Sequence, residues 1–94
     1  MAFNLPLPQR LASHWKVKIR DRERVEPPHV TILYGTREWR LCLRTGRFLE
    51  VDPPGRLVPV QLVRYVEGQF ARLIAEWDRM YPANRVWSRE DEDA

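Results

Sequence analysis

Trp15-Lys16-Val17-Lys18-Ile19-Arg20 alternates without a break between large apolar and basic side chains. Successive side chains of a strand point to opposite faces. This period of two therefore marks a half-buried strand, with Trp15, Val17 and Ile19 inward and the three cations outward. His29 to Tyr34 repeats the pattern: Val30, Ile32 and Tyr34 alternate with His29, Thr31 and Leu33, and Gly35 ends the run. A third strand is predicted over Glu38 to Leu43, with Trp39, Leu41 and Leu43 inward and Glu38, Arg40 and Cys42 outward. Thr45-Gly46 then supplies a turn in which glycine takes a positive φ at little cost. Arg47 to Val51, carrying Phe48, is predicted to return as a fourth strand.

On either side the pattern changes. Residues 1–13 contain Pro6 and Pro8 and keep no period, so they read as an extended lead-in whose Phe3, Leu5, Leu7 and Leu11 are available to dock on the core. Asp21 to Pro28 is charge and proline, hence an exposed loop, and Asp52-Pro53-Pro54-Gly55 breaks the chain again. Over 58–81 the positions Leu62, Val66, Gln69 or Phe70, Leu73, Trp77 and Met80 or Tyr81 recur every three to four residues, the period of an amphipathic helix. Pro59 suits its start and Pro82 its stop, and Gly68 in the interior predicts a joint between two helices. The apolar sheet face and the apolar helix stripe must cover each other. The expected fold is α+β: an antiparallel sheet of three or four strands packed against a C-terminal helix or helix pair.

Ninety-four residues make a single domain, 1–94, with strands over 14–51 and an acidic, flexible tail over 88–94. Hydrophobic residues make up 44% and charged residues 31%, which is enough to fold with a wet surface. The lone Cys42 rules out an internal disulfide framework and points to a reducing compartment. No run is long and apolar enough for a membrane span, and the opening residues lack a basic leader, so a cytoplasmic protein is expected. Fourteen Arg and two Lys stand against thirteen acids; leaving out Glu90, Asp91, Glu92 and Asp93 raises the net charge from +3 to +7.

The chemistry-bearing residues are few. His29, fixed behind Pro27-Pro28 at a strand start and expected near the surface, is the candidate acid or base, with Glu26 or Asp21 near enough in sequence to orient it. His14, His29 and Cys42 have no metal-ligand spacing, and the chain holds no phosphate-binding glycine loop, nucleophile elbow or paired carboxylates. No metal, no cofactor and a non-enzymatic role are expected. Lys16, Lys18, Arg20, Arg40 and Arg44 fall on outward strand positions, the pattern of a basic stripe suited to sugar-phosphate backbones of RNA or DNA. Leu33, the Phe3 to Leu11 segment and Trp87 are apolar positions suited to a partner protein or a second copy.

Glu26-Pro27-Pro28-His29-Val30-Thr31-Ile32, then a strand pair, then a helix ending in Leu73, Trp77 and Tyr81, resembles the small prokaryotic family known as domain of unknown function 4160. Its members show a strand like E-P-P-H-[IV]-H-V and a terminal leucine-x-x-x-tryptophan-x-x-x-aromatic helix. Residues 15 to 82 follow that order. Where the family carries a second histidine this chain has Thr31, which breaks a paired-histidine site. The resemblance implies no established activity. The size and gene context of such proteins are similar to toxin-antitoxin pairs, which implies a partner protein. Three readings follow: an interaction module that binds a partner protein, a nucleic-acid-binding module using the basic sheet face, and a ribonuclease-like toxin using His29 with Arg40 or Arg44 as phosphate clamps.

Overall fold

In the computed structural model, which describes residues 2–21 and 27–87, the strong alternations become strands. We label them β1 (Phe3–Asn4), β2 (Lys16–Ile19), β3 (His29–Tyr34) and β4 (Arg37–Cys42). They form one antiparallel sheet in the order β1-β2-β3-β4. Register places Val17 opposite Ile32 and Ile32 opposite Trp39, with Val30 opposite Leu41, so the apolar positions of all three long strands share one face. Helices α2 (Val60–Gly68) and α3 (Phe70–Met80) supply Leu62, Val66, Leu73 and Trp77, each 0% exposed, to the same core. At roughly 1.5 to 3 kcal/mol for each fully buried large aliphatic or aromatic side chain, this contact dominates the favourable energy of the fold.

The sheet is four-stranded, but its fourth strand is not Arg47 to Val51. That segment makes a single bridge, Leu41 to Phe48, with Cys42 N–H donating to the Arg47 carbonyl and Leu49 N–H to that of Arg40. The turn before it does form, with Gly46 at φ 72°. The fourth strand comes instead from the lead-in, where Phe3 pairs with Ile19, Asn4 with Lys18, and Leu5 N–H donates to the Val17 carbonyl. Pro6 and Pro8 stop pairing there, and α1 (Gln9–Ala12) starts directly behind them and lays Leu11 on the core. The joint expected at Gly68 lies at Gln69, whose N–H bonds the Val66 carbonyl while its own carbonyl starts α3 by accepting from Leu73 N–H.

Four aromatic side chains tie irregular segments to this frame through their polar ends. Trp39 Nε1 donates to the Pro54 carbonyl (3.1 Å), Tyr65 Oη to Pro6 (2.9 Å), Trp77 Nε1 to Asn84 (2.6 Å), and Tyr81 Oη to Arg20. The segment after α3 turns back: Val86 is fully buried, and its N–H donates to the Asp78 carboxylate at 2.8 Å. Among the described residues no helix is long and apolar enough to cross a membrane. The expected acidic tail, 88–94, and most of the loop between β2 and β3 lie outside the described residues. At that loop's end Pro28 is buried rather than exposed, its carbonyl accepting from Leu43 N–H.

Candidate functional site

His29 does not sit near the surface; it is 0% exposed. Register pairs it with Cys42, and its ring lies 5.5 Å from the Trp77 indole, which in turn stacks at 4.3 Å on Tyr81. Nδ1 is 2.7 Å from the Pro27 carbonyl oxygen. A carbonyl only accepts, so Nδ1 carries the proton and donates it. The position behind Pro27-Pro28 at a strand start predicts a ring near the surface. Pro28 is instead buried, its carbonyl accepting from Leu43 N–H just past β4, and the imidazole packs against Trp77 of α3. A ring with no exposed surface meets no substrate in this conformation.

The two arginines expected to act beside it are also committed. Arg40 holds the Glu50 carboxylate with two hydrogen bonds, 2.8 and 3.0 Å. Arg44 reaches the carbonyls of Val86 and Arg85 and so clamps the returning C-terminal segment to the end of β4. The five-residue basic stripe is thereby divided. Lys16, Lys18 and Arg40 occupy outward rows of one sheet face, with Lys18, Thr31 and Arg40 in register across it. Arg20 is paired with Glu38 at 2.6 Å. Among the described residues Lys16 and Lys18 have no ion pair.

Cys42, expected outward, is 5% exposed. Burial pushes its thiol pKa up, but hydrogen bonds from the Thr45 hydroxyl and the Arg44 and Thr45 backbone, with the Arg44 charge, outweigh this and hold it below its ordinary value. Among the described residues no group of three or more metal-ligating side chains comes together.

Of the apolar positions expected at a partner surface, Pro6 and Leu7 line an open pocket of about 420 Å³ with Ala12 and Trp15. Leu5 and Leu11 of the lead-in are core, and Leu33 is half-buried. Trp87 does present 48% of its surface. The larger apolar opening is a groove of about 460 Å³ between the 48–58 segment and α2, walled by Phe48, Val58, Val60 and Val63, with Arg56, Arg64 and Glu67 also lining it. Val58 is its buried floor and Val60 its rim, 63% exposed. Leu57, next to the floor residue, is 44% exposed, and Val51 on the loop leading in is 92% exposed. Glycine is required at one place in this wall. A Cβ on Gly55 would lie 2.4 Å from Phe48 Cδ2, so only its absence lets the phenyl ring lie against the backbone. The signal for this groove was present in α2, where Val60 and Val63 give a second apolar side beside the Leu62 and Val66 stripe. A helix with two apolar sides has one left over when it lies on a sheet.

Comparison with known proteins returns no matching family model, no matching curated protein and no matching solved structure.

Proposed function

We propose that this chain is a small interaction module whose groove between Phe48 and α2 accepts an amphipathic segment of a partner protein, with apolar residues seated against Val58, Val60 and Val63 and acidic residues at the rim. The supporting observation is the union of exposed apolar wall and unpaired cationic rim. Among the described residues Arg56 and Arg64 have no ion pair, so the rim, with Glu67 as its one acid, carries a net positive charge that favours a negatively charged occupant. Covering Val60, Leu57 and Val51 removes apolar surface from water, the main drive for such association. That the partner is the second member of a toxin-antitoxin pair rests on the family resemblance alone.

Selection of random displayed peptides on the immobilised chain tests this reading. The expected winners alternate Asp or Glu with Leu, Phe or Trp, and lose binding to a Val60→Asp/Arg64→Glu variant, both positions being exposed and free to change without harming the core. Peptides that lack the acidic-apolar pattern, or that bind the variant equally well, defeat the reading. Sedimentation of the protein alone covers the other occupant. Self-association abolished by Val60→Asp would place a second copy in the groove and displace the partner reading.

A further inference from the structure

The C-terminal segment is anchored at the point where its most charged stretch departs. Val86 is fully buried, its N–H donates to the Asp78 carboxylate, and Arg44 holds the carbonyls of Arg85 and Val86. Beyond Trp87 the sequence runs Ser88-Arg89-Glu90-Asp91-Glu92-Asp93-Ala94, four carboxylates against one guanidinium, outside the described residues. With the departure point fixed, what these charges reach depends on chain length and on the surface around Arg44.

That surface leads to the groove beside Phe48. Gly46, two positions on from Arg44, lies against the helices, where a Cβ on it would meet Glu67 Oε2 and the Phe70 ring at 4.0 Å. Glu67 lines the groove, Arg64 lines it one helical turn back, and Arg56 lines it from the 48–58 side. The route from the clamp to Arg64 is thus one arginine side chain, two residues of turn, one glutamate side chain and a helical turn of about 5 Å. Seven extended residues span up to about 23 Å, and their side chains reach further, so the sequence after Trp87 is long enough to follow it. The charges also correspond in order. Moving away from the clamp, the groove shows Glu67 and then Arg64 and Arg56, and the tail shows Arg89 and then Glu90 to Asp93. All three groove residues are exposed, and none has an ion pair among the described residues. Arg47, between Gly46 and Phe48, adds an exposed cation at the same end. Lys16, by contrast, is level with Leu33 and Glu38, at the other end of the sheet from Cys42 and the clamp.

Taking the groove as the site for acidic, apolar segments argued above, we propose that residues 88–94 are its resident competitor: the tail lies along the groove with Arg89 at Glu67 and the acids of 90–93 at Arg64 and Arg56. A single exposed ion pair contributes little. A tethered segment, however, acts at an effective concentration in the millimolar range, so several weak contacts in series fill the groove in much of the population. A partner then binds by displacing the tail, and its apparent affinity falls in proportion to the fraction of molecules whose groove is open. Because every contact is exposed, salt releases the tail.

Amide-resolved NMR of the full chain tests this. Between the unchanged chain and Glu90→Gln/Asp91→Asn/Glu92→Gln/Asp93→Asn, shift differences outside the tail are expected at Arg56, Val60, Val63, Arg64 and Glu67. Salt at about 1 M, which screens beyond about 3 Å, should reproduce them in the unchanged chain. Arg56→Gln/Arg64→Gln, at two exposed positions, should abolish the tail's effect with the melting temperature kept. A synthetic peptide alternating Glu with Leu should bind the neutralised variant about three- to tenfold more tightly than the unchanged chain at low salt. Groove amides that ignore neutralisation of the tail overturn the proposal. So do differences centred on Lys16 and Lys18, and so do differences that vary with protein concentration, which would belong to a neighbouring molecule's tail. The tail and the partner fail separately. Peptide binding that Val60→Asp/Arg64→Glu abolishes, with no response of the groove amides to the tail, defeats the competitor alone. Groove amides that follow the tail, with no peptide bound by either form, keep the tail contact and defeat the partner reading.

Discussion

The Arg20 guanidinium meets the Glu38 carboxylate at 2.6 Å although the two residues stand two strands and two register rows apart. The line joining them on the outer sheet face passes over Thr31, which is opposite Lys18 on one side and Arg40 on the other. Thr31, flanked by Lys18 and Arg40 on this outward face, is only 1% exposed.

Glu38→Gln releases Arg20 onto that face. Both side chains are partly exposed, so stability should change by less than about 1 kcal/mol. A larger loss in urea unfolding would show that the pair is held more tightly than its exposure implies.

Thr31 carries a cost at this buried position. Its Oγ1 is buried with no hydrogen-bond partner among the described residues. Thr31→Val keeps the β-branched shape and removes the desolvated hydroxyl, so a gain of about 1 kcal/mol in urea unfolding is expected. A loss of that size would mean that the hydroxyl is satisfied in solution.

Gly55→Ala places a methyl group against the Phe48 ring and forces it to turn. Overpacking of this kind costs about 1 to 3 kcal/mol, partly offset by about 0.4 to 1 kcal/mol from a less flexible unfolded chain. A lower melting temperature together with weakened peptide binding is expected. In a Phe48→Leu background the same change should be nearly harmless, and calorimetry of the double-mutant cycle measures the difference.

Trp77→Phe leaves the Asn84 carbonyl without its indole donor and opens space beside His29 and Tyr81. A loss of about 2 kcal/mol is expected in chemical denaturation. A near-neutral result would show that the returning C-terminal segment is held by Arg44 and Asp78 without help from the tryptophan.

The lowered pKa of Cys42 has a definite pH consequence. A thiol that ionises more readily folded than unfolded adds stability as pH rises from its folded midpoint towards the ordinary value, and that contribution is absent below the folded midpoint. Thr45→Val, which removes the hydroxyl that favours the thiolate, should move the midpoint up in an ultraviolet thiolate titration and flatten the rise. An unmoved midpoint would assign the shift to the backbone amides and Arg44.

Period-two alternation located β2, β3 and β4 to within a residue or so, because each has one face committed to a single core and the other to water. The helical joint was legible too, since Gly68 interrupts an otherwise continuous stripe. Other features were hidden for physical reasons. β1 is two residues long, shorter than any period, and exists only because β2 offers it a ladder. Phe48 looked like a strand residue because its bridge to Leu41 is real, but the chain bends away at once to pass Gly55. The burial of His29 depends on Trp77, forty-eight positions along the chain, and no local pattern announces so distant a contact. The basic stripe was visible as spacing, whereas its division into engaged arginines and free lysines depends on where Glu38, Glu50 and Val86 fall in three dimensions.

Both borders of the sheet are blunt. β1 ends after Asn4 and is followed by Pro6, and the outer rim of β4 is bonded at Arg40 and Cys42 by the passing 47–49 backbone. A border this short gives a foreign strand little to zip onto, which discourages fibre-like stacking of copies. Any recognition at the sheet would then run through side chains rather than shared main-chain ladders. If the groove beside Phe48 takes a partner as proposed, that choice is open to revision by single substitutions at Val60 or Arg64, with the scaffold left as it stands.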